Sequence, residues 1–322
     1  MTAKTEKKKK EEPIEKNVNI VASKKDNYVI FNPEGGLGKI IASTAVLRSI
    51  QKKYPDYKIV VLTPWAEVFL NNPRVYRVFK SGIHPYFYKD YLEGRESIVL
   101  KGEPYFNTPH LYSKQHLIKS WCELHNLPYD GNPSPELYYT VAEKTYYSSN
   151  LQQTDKPVLI LQSNGGPYDD VRQYSWTRDL PFEQSQILVN ELAKIYKIFH
   201  VCRSAAPQLQ NVERIEDVPN KRLLLSILLR SQKRLLIDSC LQHAAAAFEL
   251  PSTVCWVGTS PTVFGYKIHN NILPNVDKEI NAGGRMIDSL FFDHDFNGPE
   301  HEYPYKDLNI FNLQEIYDSV VK

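Results

Sequence analysis

The sequence has no apolar run long enough to span a membrane and no strong charge of either sign. Its formal net charge is +2 over 322 residues, so it lacks the global field expected of a protein that binds nucleic acid or an acidic substrate. The N-terminus has no apolar core of the kind that marks a secretory signal, and hydrophobic runs stay short of transmembrane length. We therefore expect a soluble, cytoplasmic protein.

A cysteine pattern typical of metal sites is also missing. The chain has four scattered cysteines, Cys122, Cys202, Cys240 and Cys255. Their apolar or helical neighbours indicate reduced, packed side chains of an intracellular protein. Asp293 and Asp295 flank His294 and could form an acidic metal site, but they lie far along the chain from any first-domain strand. Solvated surface acids explain them better, and we predict no metal site.

The first 26 residues differ from the rest in composition. They contain no aromatic residue, and the lysines from Lys7 to Lys10 stand among glutamates. A mixed tail of this kind is typical of disordered segments, so residues 1–26 are predicted to be a disordered leader. Such a leader could contact nucleic acid or a membrane, but a solvated tail is the more common reading.

Two stretches of the chain repeat one pattern, a short apolar strand followed by a glycine-bearing turn. The first begins at Tyr28 and the second at Val158, and further strands and helices alternate after each. This alternation is typical of a parallel α/β sheet. We predict an α/β fold with two Rossmann-like domains facing across a cleft, residues 27–147 and residues 157–322.

Four local expectations follow from the same pattern. Residues 40–54 should form one helix, and residues 81–112 should be irregular and rich in aromatic side chains. Residues 138–141 could add a strand. The apolar spacing of residues 313–320 predicts a C-terminal helix, which could cross back to the first domain.

The most informative segment follows a short strand that ends at Ile237. Asp238 and Ser239 come next, and a helix with four successive alanines begins at once. In open α/β sheets this position is the ligand crevice, and a helix N-terminus there suits a phosphate group. Asp and Ser also cap many helices, and alanines permit close packing of a helix on a sheet. His243 lies just past the first turn, and its convergence with the other two favours a binding site.

A glycine-rich turn at residues 32–39 follows the first strand. It has neither the dinucleotide-binding fingerprint nor the Gly-Lys-Ser/Thr ending of a P-loop. A plain tight turn explains these glycines as well as a phosphate contact does. The two readings stay open on the sequence of the turn alone.

Taken together, these segments resemble the lipopolysaccharide heptosyltransferases of glycosyltransferase family 9, which have the two-domain GT-B fold. The resemblance spans roughly residues 28 to 320. It is carried by three groups of residues: Gly36-Leu37-Gly38 before Ile40–Arg48, His116 to Ile118 with Trp121 to Leu127, and Asp238–His243 with Pro251 and Thr259-Ser260-Pro261.

The resemblance implies a nucleotide-diphosphate sugar bound mainly by the C-terminal domain, and a metal-independent, inverting transfer of the sugar to an acceptor hydroxyl. No cofactor is expected besides this donor substrate. The donor-binding residues it implies are Gly36, Gly38, Ser163, Asn164, Arg172, Trp176, Arg203, Asp238, Ser239 and His243.

The sequence departs from the family at the general base. Family members have an aspartate directly after the last glycine of the N-terminal loop, and this chain has Lys39. A lysine there could hold a donor phosphate or a sugar hydroxyl. Glu34 in the same loop could take the acceptor proton, with Asp169 and Asp170 as alternatives. We therefore take Glu34 and Lys39 as the catalytic candidates.

A second departure lies before Trp176. Family members have a lysine shortly before this tryptophan, whereas this chain has Tyr174 and Ser175. Arg172 and Arg178 are the cations available in that segment.

Two other functions stay open. Lys39 at the position of the family aspartate would also suit a non-catalytic nucleotide-sugar-binding protein. The lysine-rich leader and the aromatic residues between 86 and 112 would suit a glycosyltransferase that acts on modified nucleic acid. Aromatic rings stack on sugars and bases alike, but the near-neutral net charge disfavours nucleic acid.

Overall fold

The computed structural model describes residues 26–106, 115–148, 154–165, 178–204, 206–216, 218–275 and 309–322. Several predicted features lie outside these residues: the leader up to residue 25, Asp169, Asp170, Arg172, Trp176 and the group Asp293–Asp295. The described residues form two parallel β-sheets with helices packed against them. The α/β class predicted from the strand–helix alternation is confirmed.

The N-terminal sheet has four parallel strands in the order β3-β2-β1-β4. The strands are β1 (Tyr28–Asn32), β2 (Lys58–Thr63), β3 (Val75–Lys80) and β4 (Ser97–Lys101). The helices around it are α1 (Leu37–Ser43), α2 (Val46–Lys53), α3 (Phe87–Tyr91), α4 (Leu117–Leu124) and α5 (Val141–Ser148).

Strand β1 is buried on both faces, as its continuous apolar sequence predicts. Val29 and Phe31 pack in one cluster with residues of α1, α2 and α4, including Trp121. Tyr28 and Ile30 pack on the opposite face against Tyr91 of α3. The glycine turn follows the carboxyl end of β1, and it lies on the side of the N-terminal sheet that faces the second sheet.

The helix predicted over residues 40–54 is divided in two. The Ser43 and Thr44 hydroxyls donate to carbonyl oxygens three residues earlier, at 2.8 and 2.7 Å, and such bonds compete with regular helix. Thr44 Oγ1 also accepts from the backbone N–H of Glu136 at 2.8 Å. Helix α1 therefore ends at Ser43 and α2 begins two residues after Thr44.

Two other local expectations are wrong. Residues 81–112 are not uniformly irregular, since they contain α3 and the edge strand β4. Val99 in β4 is more than half exposed, so β4 lacks the strong apolar signal of a central strand. Residues 138–141 form no strand, and helix α5 begins at Val141 instead.

The C-terminal sheet has six parallel strands in the order β10-β9-β8-β5-β6-β7. The strands are β5 (Val158–Leu161), β6 (Lys197–Val201), β7 (Glu213–Ile215), β8 (Lys233–Ile237), β9 (Thr253–Cys255) and β10 (Asn270–Ile272). The helices are α6 (Phe182–Leu192), α7 (Lys221–Ser226), α8 (Cys240–Ala247), α9 (Pro261–Phe264) and α10 (Leu313–Val321).

Helix α10 packs on the C-terminal sheet and does not cross back to the N-terminal one. Ile316 and Val320 are buried in a cluster with Leu188 of α6 and Leu235 of β8. The apolar stripe of α10 therefore covers its own sheet, and the predicted crossing is wrong for this helix.

The two sheets share one continuous apolar core where α1 meets α8. Ile40 and Ile41 of α1 belong to the same buried cluster as Ala244 and Ala245 of α8. A β-carbon at Gly38 would lie 3.1 Å from His243 Cδ2 and 3.3 Å from Cys240 Cα. The glycine and the alanines therefore allow these helices to approach closely, which is the packing role that the alanines suggested.

Candidate functional site

A cavity of about 750 Å³ lies between the two sheets, a size that suits a small-molecule site. The N-terminal side contributes Gly35, Gly36, Leu37, Gly38, Lys39, Trp65, Tyr105 and Leu117 to its lining. The polar residues of the C-terminal side are Gln162, Asn164, Arg178, Arg203, Lys221, Asp238, Ser239 and His243. Both sides are built from segments that follow parallel strands, where ligands of open α/β sheets bind.

Most of the predicted site residues within the described part of the chain meet in this lining. They are Gly36, Gly38, Lys39, Asn164, Arg203, Asp238, Ser239 and His243. Ser163 lies beside the cavity without lining it, and its hydroxyl is hydrogen bonded to His200 Nε2 at 2.8 Å. Glu34 also lies outside the lining.

The N-terminus of α8 opens into the cavity. Ser239 is the N-cap residue, but its side chain forms no capping hydrogen bond, so among the described residues the side-chain cap expected from Asp238 or Ser239 is absent. Ser239 Oγ instead accepts from Gln162 Nε2 at 3.1 Å. The uncapped first-turn N–H groups and the positive end of the helix dipole can therefore serve an anion.

Four cations among the described residues line the cavity, and three of them have carboxylate partners. Arg178 Nε lies 3.8 Å from Asp238 Oδ2, and Arg203 Nη2 lies 2.6 Å from Asp179 Oδ2. Arg203 is also fixed through its backbone N–H, which donates to Asn164 Oδ1 at 3.0 Å. These guanidinium groups stand beside the N-terminus of α8, an arrangement that suits a phosphate or diphosphate.

Lys39, the third of the four, is held against Gly35. Lys39 Nζ lies 2.6 Å from Glu103 Oε2 and 4.6 Å from the centre of the Tyr105 ring. Gly35 has φ +107°, and a β-carbon there would lie 2.6 Å from Lys39 Nζ. The absence of a side chain at Gly35 thus leaves room for the Lys39 ammonium group. A plain tight turn would need the glycine only for its positive φ and not for this space.

Glu34 faces away from this arrangement. Glu34 Oε1 lies 3.5 Å from Lys101 Nζ, and both side chains are more than half exposed. Surface ion pairs of this kind contribute little to stability. The assignment of Glu34 as the base stays a prediction without a supporting contact.

His243 is buried, and burial lowers its pKa to about 3, with smaller contributions from His116, Arg178 and His269. Its Nδ1 lies 2.7 Å from the Tyr266 hydroxyl. The imidazole is therefore neutral at physiological pH, and it can hydrogen bond a ligand but adds no positive charge.

Sequence reasoning missed three residues of this site, Trp65, Lys221 and Glu103, and included Tyr105 only among the aromatic residues between 86 and 112. Trp65 Nε1 donates to the Gly35 carbonyl at 3.1 Å, and Lys221 Nζ lies 5.8 Å from the Trp65 ring. Glu103 and Tyr105 follow strand β4, which was not predicted. The position of Glu103 three residues after Leu100, which ends a short apolar segment, was the available signal for it.

No protein-family model and no curated protein matches the chain. Solved structures do match it. The glycosyl transferase family 9 structure from Veillonella parvula has a TM-score of 0.62 at 12% identity, covering 91% of this chain and 95% of that one. The E. coli ADP-heptose lipopolysaccharide heptosyltransferase II has a TM-score of 0.57 at 14% identity, covering 78% and 91%. The E. coli heptosyltransferase WaaC with ADP has a TM-score of 0.51 at 12% identity, covering 76% and 93%.

The chain has the GT-B fold. The fold that the resemblance to family 9 implied is therefore confirmed. In the described part of the chain, none of the helices combines the length and apolar character needed to cross a membrane.

Proposed function

We propose that the protein is a glycosyltransferase that moves a sugar from a nucleotide-diphosphate sugar to an acceptor hydroxyl. The observation that carries the proposal is the cavity between the two sheets of a GT-B fold, where the N-terminus of α8 lies with the cations Lys39, Arg178, Arg203 and Lys221. A helix N-terminus and arginine side chains are common partners of phosphate groups. One similar structure, the E. coli heptosyltransferase WaaC, is described with ADP, which supports the same class of ligand here.

The diphosphate of the donor would lie against the first turn of α8. Arg178 and Arg203 would neutralise its charge, and Lys39 would reach a sugar hydroxyl of the donor from the N-terminal side. Asp238 is 5% exposed and lines the cavity, so its carboxylate would hydrogen bond a donor hydroxyl. The glycines at 36 and 38 would let the backbone approach the ligand.

The reaction would be a direct displacement at the anomeric carbon. Negative charge develops on the departing diphosphate, and preorganised cations and backbone N–H groups stabilise it in the transition state. The protein's own cations supply this stabilisation, so we propose a metal-independent, inverting transfer that uses no cofactor besides the donor.

A panel of nucleotide sugars tests donor binding: ADP-heptose, UDP-glucose, UDP-N-acetylglucosamine and GDP-mannose. We expect at least one to raise the melting temperature of the wild type, because a ligand of the folded state stabilises it. Asp238→Ala should fold and lose affinity for the same compound. A well-folded Asp238→Ala protein with unchanged affinity would reject the donor role of Asp238, and no shift with any donor would contradict the proposed function.

A nucleotide-sugar-binding protein without transferase activity is the second candidate. Lys39, at the position of the family aspartate, forms an ion pair with Glu103 and is not itself a carboxylate base. The two candidates differ in turnover. A binding protein would bind a donor from the panel and release no nucleoside diphosphate from it.

A further inference from the structure

We propose that Glu103 is the general base that takes the proton of the acceptor hydroxyl. The inference rests on the proposed glycosyltransferase function, and it assigns the base to a residue outside the glycine turn. Glu103 follows the carboxyl end of β4, the strand that pairs with β1 in the N-terminal sheet. It therefore follows the strand next to the one that leads into the glycine turn, and its carboxylate contacts Lys39 of the cavity lining.

Glu103 is tied to the cavity through Lys39. The Lys39 ammonium lines the cavity beside Gly35 and lies 2.6 Å from Glu103 Oε2. The side chain of Glu103 is 24% exposed and that of Lys39 is 15% exposed. The carboxylate is thus partly shielded, fixed in position by its partner, and still open to an incoming hydroxyl.

Tyr105 connects Glu103 with the donor side of the cavity. Burial raises the pKa of the Tyr105 phenol; the nearby charges of Asp238 and Glu103 raise it further, and that of Arg178 lowers it. All three charged groups thus lie within electrostatic reach of one phenol. Tyr105 lines the cavity, and Lys39, the ion-pair partner of Glu103, lies 4.6 Å from the centre of the Tyr105 ring.

The direction of the displacement selects Glu103 over the other carboxylates that pair with cations of the lining. Asp238 pairs with Arg178, and Asp179 pairs with Arg203. Both carboxylates stand beside the groups that would hold the departing diphosphate. An inverting displacement brings the acceptor oxygen from the opposite face of the sugar, which is the side of the N-terminal sheet. Within the described residues, Glu103 is the carboxylate on that side that pairs with a cavity-lining cation.

The acceptor oxygen forms a bond to the anomeric carbon while its proton moves to Glu103 Oε. The bond between the anomeric carbon and the phosphate oxygen breaks, and the nucleoside diphosphate leaves with the electron pair. Glu103 then releases the proton to solvent.

Glu103→Gln tests the assignment, with the donor from the panel that the wild type binds as the probe. Water serves as the hydroxyl acceptor, and azide serves as an acceptor without a proton. We expect Glu103→Gln to bind the donor as the wild type does and to release nucleoside diphosphate at least about a hundredfold more slowly in water. Azide should restore release and yield a glycosyl azide, because this nucleophile needs no base. Glu93→Gln, an exposed change in the same part of the chain, is the matched control.

Three results would overturn the inference. Normal hydrolysis by Glu103→Gln removes Glu103 from the proton transfer, and loss of hydrolysis in Glu34→Gln instead assigns the base to Glu34. Glu103→Gln could also hydrolyse the donor slowly without being restored by azide, or it could bind the donor more weakly. Either result would show that Glu103 only holds Lys39 in position. Failure of the proposed function gives a different result. The wild-type protein would then bind no donor of the panel, and the assignment of Glu103 would fail as well.

Discussion

At the residue scale, the position of the Lys39 ammonium depends on Gly35. Gly35 has φ +107°, and any β-carbon there would meet Lys39 Nζ at 2.6 Å. We expect Gly35→Ala to lower the free energy of unfolding by about 1–2 kcal/mol and to displace Lys39 from Glu103. Chemical denaturation measures the first effect, and affinity for the whole nucleotide-sugar donor reports the second.

Gly36→Ala is the matched control for this change. Gly36 has φ −71°, and a β-carbon there would have no heavy atom within 4 Å. Its free energy of unfolding should stay close to that of the wild type. Equal stability of the two variants would show that the backbone at Gly35 is not restrictive.

Some residues of the site could be predicted from the local sequence and others could not. Asp238, Ser239 and His243 were predictable because a strand end, a helix start and the first helical turn are local patterns. Glu103 was not, because its contact with Lys39 joins residues 64 positions apart. Nothing in the local sequence of either residue indicates that pairing.

At the element scale, Arg222 of α7 joins the two halves of the molecule. Its guanidinium donates to Glu143 Oε1 at 2.7 Å and to the carbonyls of Tyr138 and Glu67 at 2.7 and 3.0 Å. It also stacks 3.9 Å from the centre of the Tyr139 ring. A single side chain of the C-terminal half thus satisfies acceptors from three segments of the N-terminal half.

We expect Arg222→Met to lower the free energy of unfolding by about 3 kcal/mol. This is the lower end of the range for breaking a buried ion pair, because the side chain of Glu143 is 24% exposed. Urea denaturation measures it. Lys194→Met is the control, since Lys194 forms an ion pair with Glu191 on the surface and such pairs contribute about 0–1 kcal/mol. Similar losses in both variants would contradict the role of Arg222.

Element positions were predictable where the apolar pattern is strong. Strands β2 and β5 have the bounds that their sequences predict, because both are nearly continuous apolar runs. Strands β4 and β7 were missed, since an edge strand needs fewer buried residues and β7 has three residues in all. The break between α1 and α2 involves the Ser43 and Thr44 hydroxyls and also a hydrogen bond from the backbone of residue 136, which the sequence of the helix does not contain.

At the scale of the whole molecule, four histidines of the described part of the chain, three of them buried and His116 half-buried, make stability depend on pH. Burial lowers the pKa to about 4 for His116, His200 and His269 and to about 3 for His243. The unfolded chain takes up protons near pH 6.5, whereas the folded chain does not. The stabilisation is therefore present above pH 6.5 and is lost as the pH falls towards 4.

We expect the urea midpoint to fall between pH 7 and pH 5. Each histidine can contribute up to about 1.4 kcal/mol per pH unit in this range. Burial raises the pKa of Glu143, but hydrogen bonds from Arg222 and Thr140 outweigh it and lower this pKa to about 2. The contribution of Glu143 to stability therefore changes below pH 5. A His200→Gln variant that folds should show a flatter dependence. A midpoint that does not change down to pH 5 would contradict the buried neutral histidines.

The most direct test of the proposed function is release of nucleoside diphosphate from the nucleotide-sugar panel by the wild-type protein. A transferase with its donor in the cavity between the sheets should release the nucleoside diphosphate of at least one donor, and Asp238→Ala should abolish most of that release. Mass spectrometry of the sugar product checks that a hydroxyl, of water or of an added acceptor, has taken up the sugar. Binding of a donor without any release, or equal release by wild type and Asp238→Ala, would contradict a transferase site in this cavity.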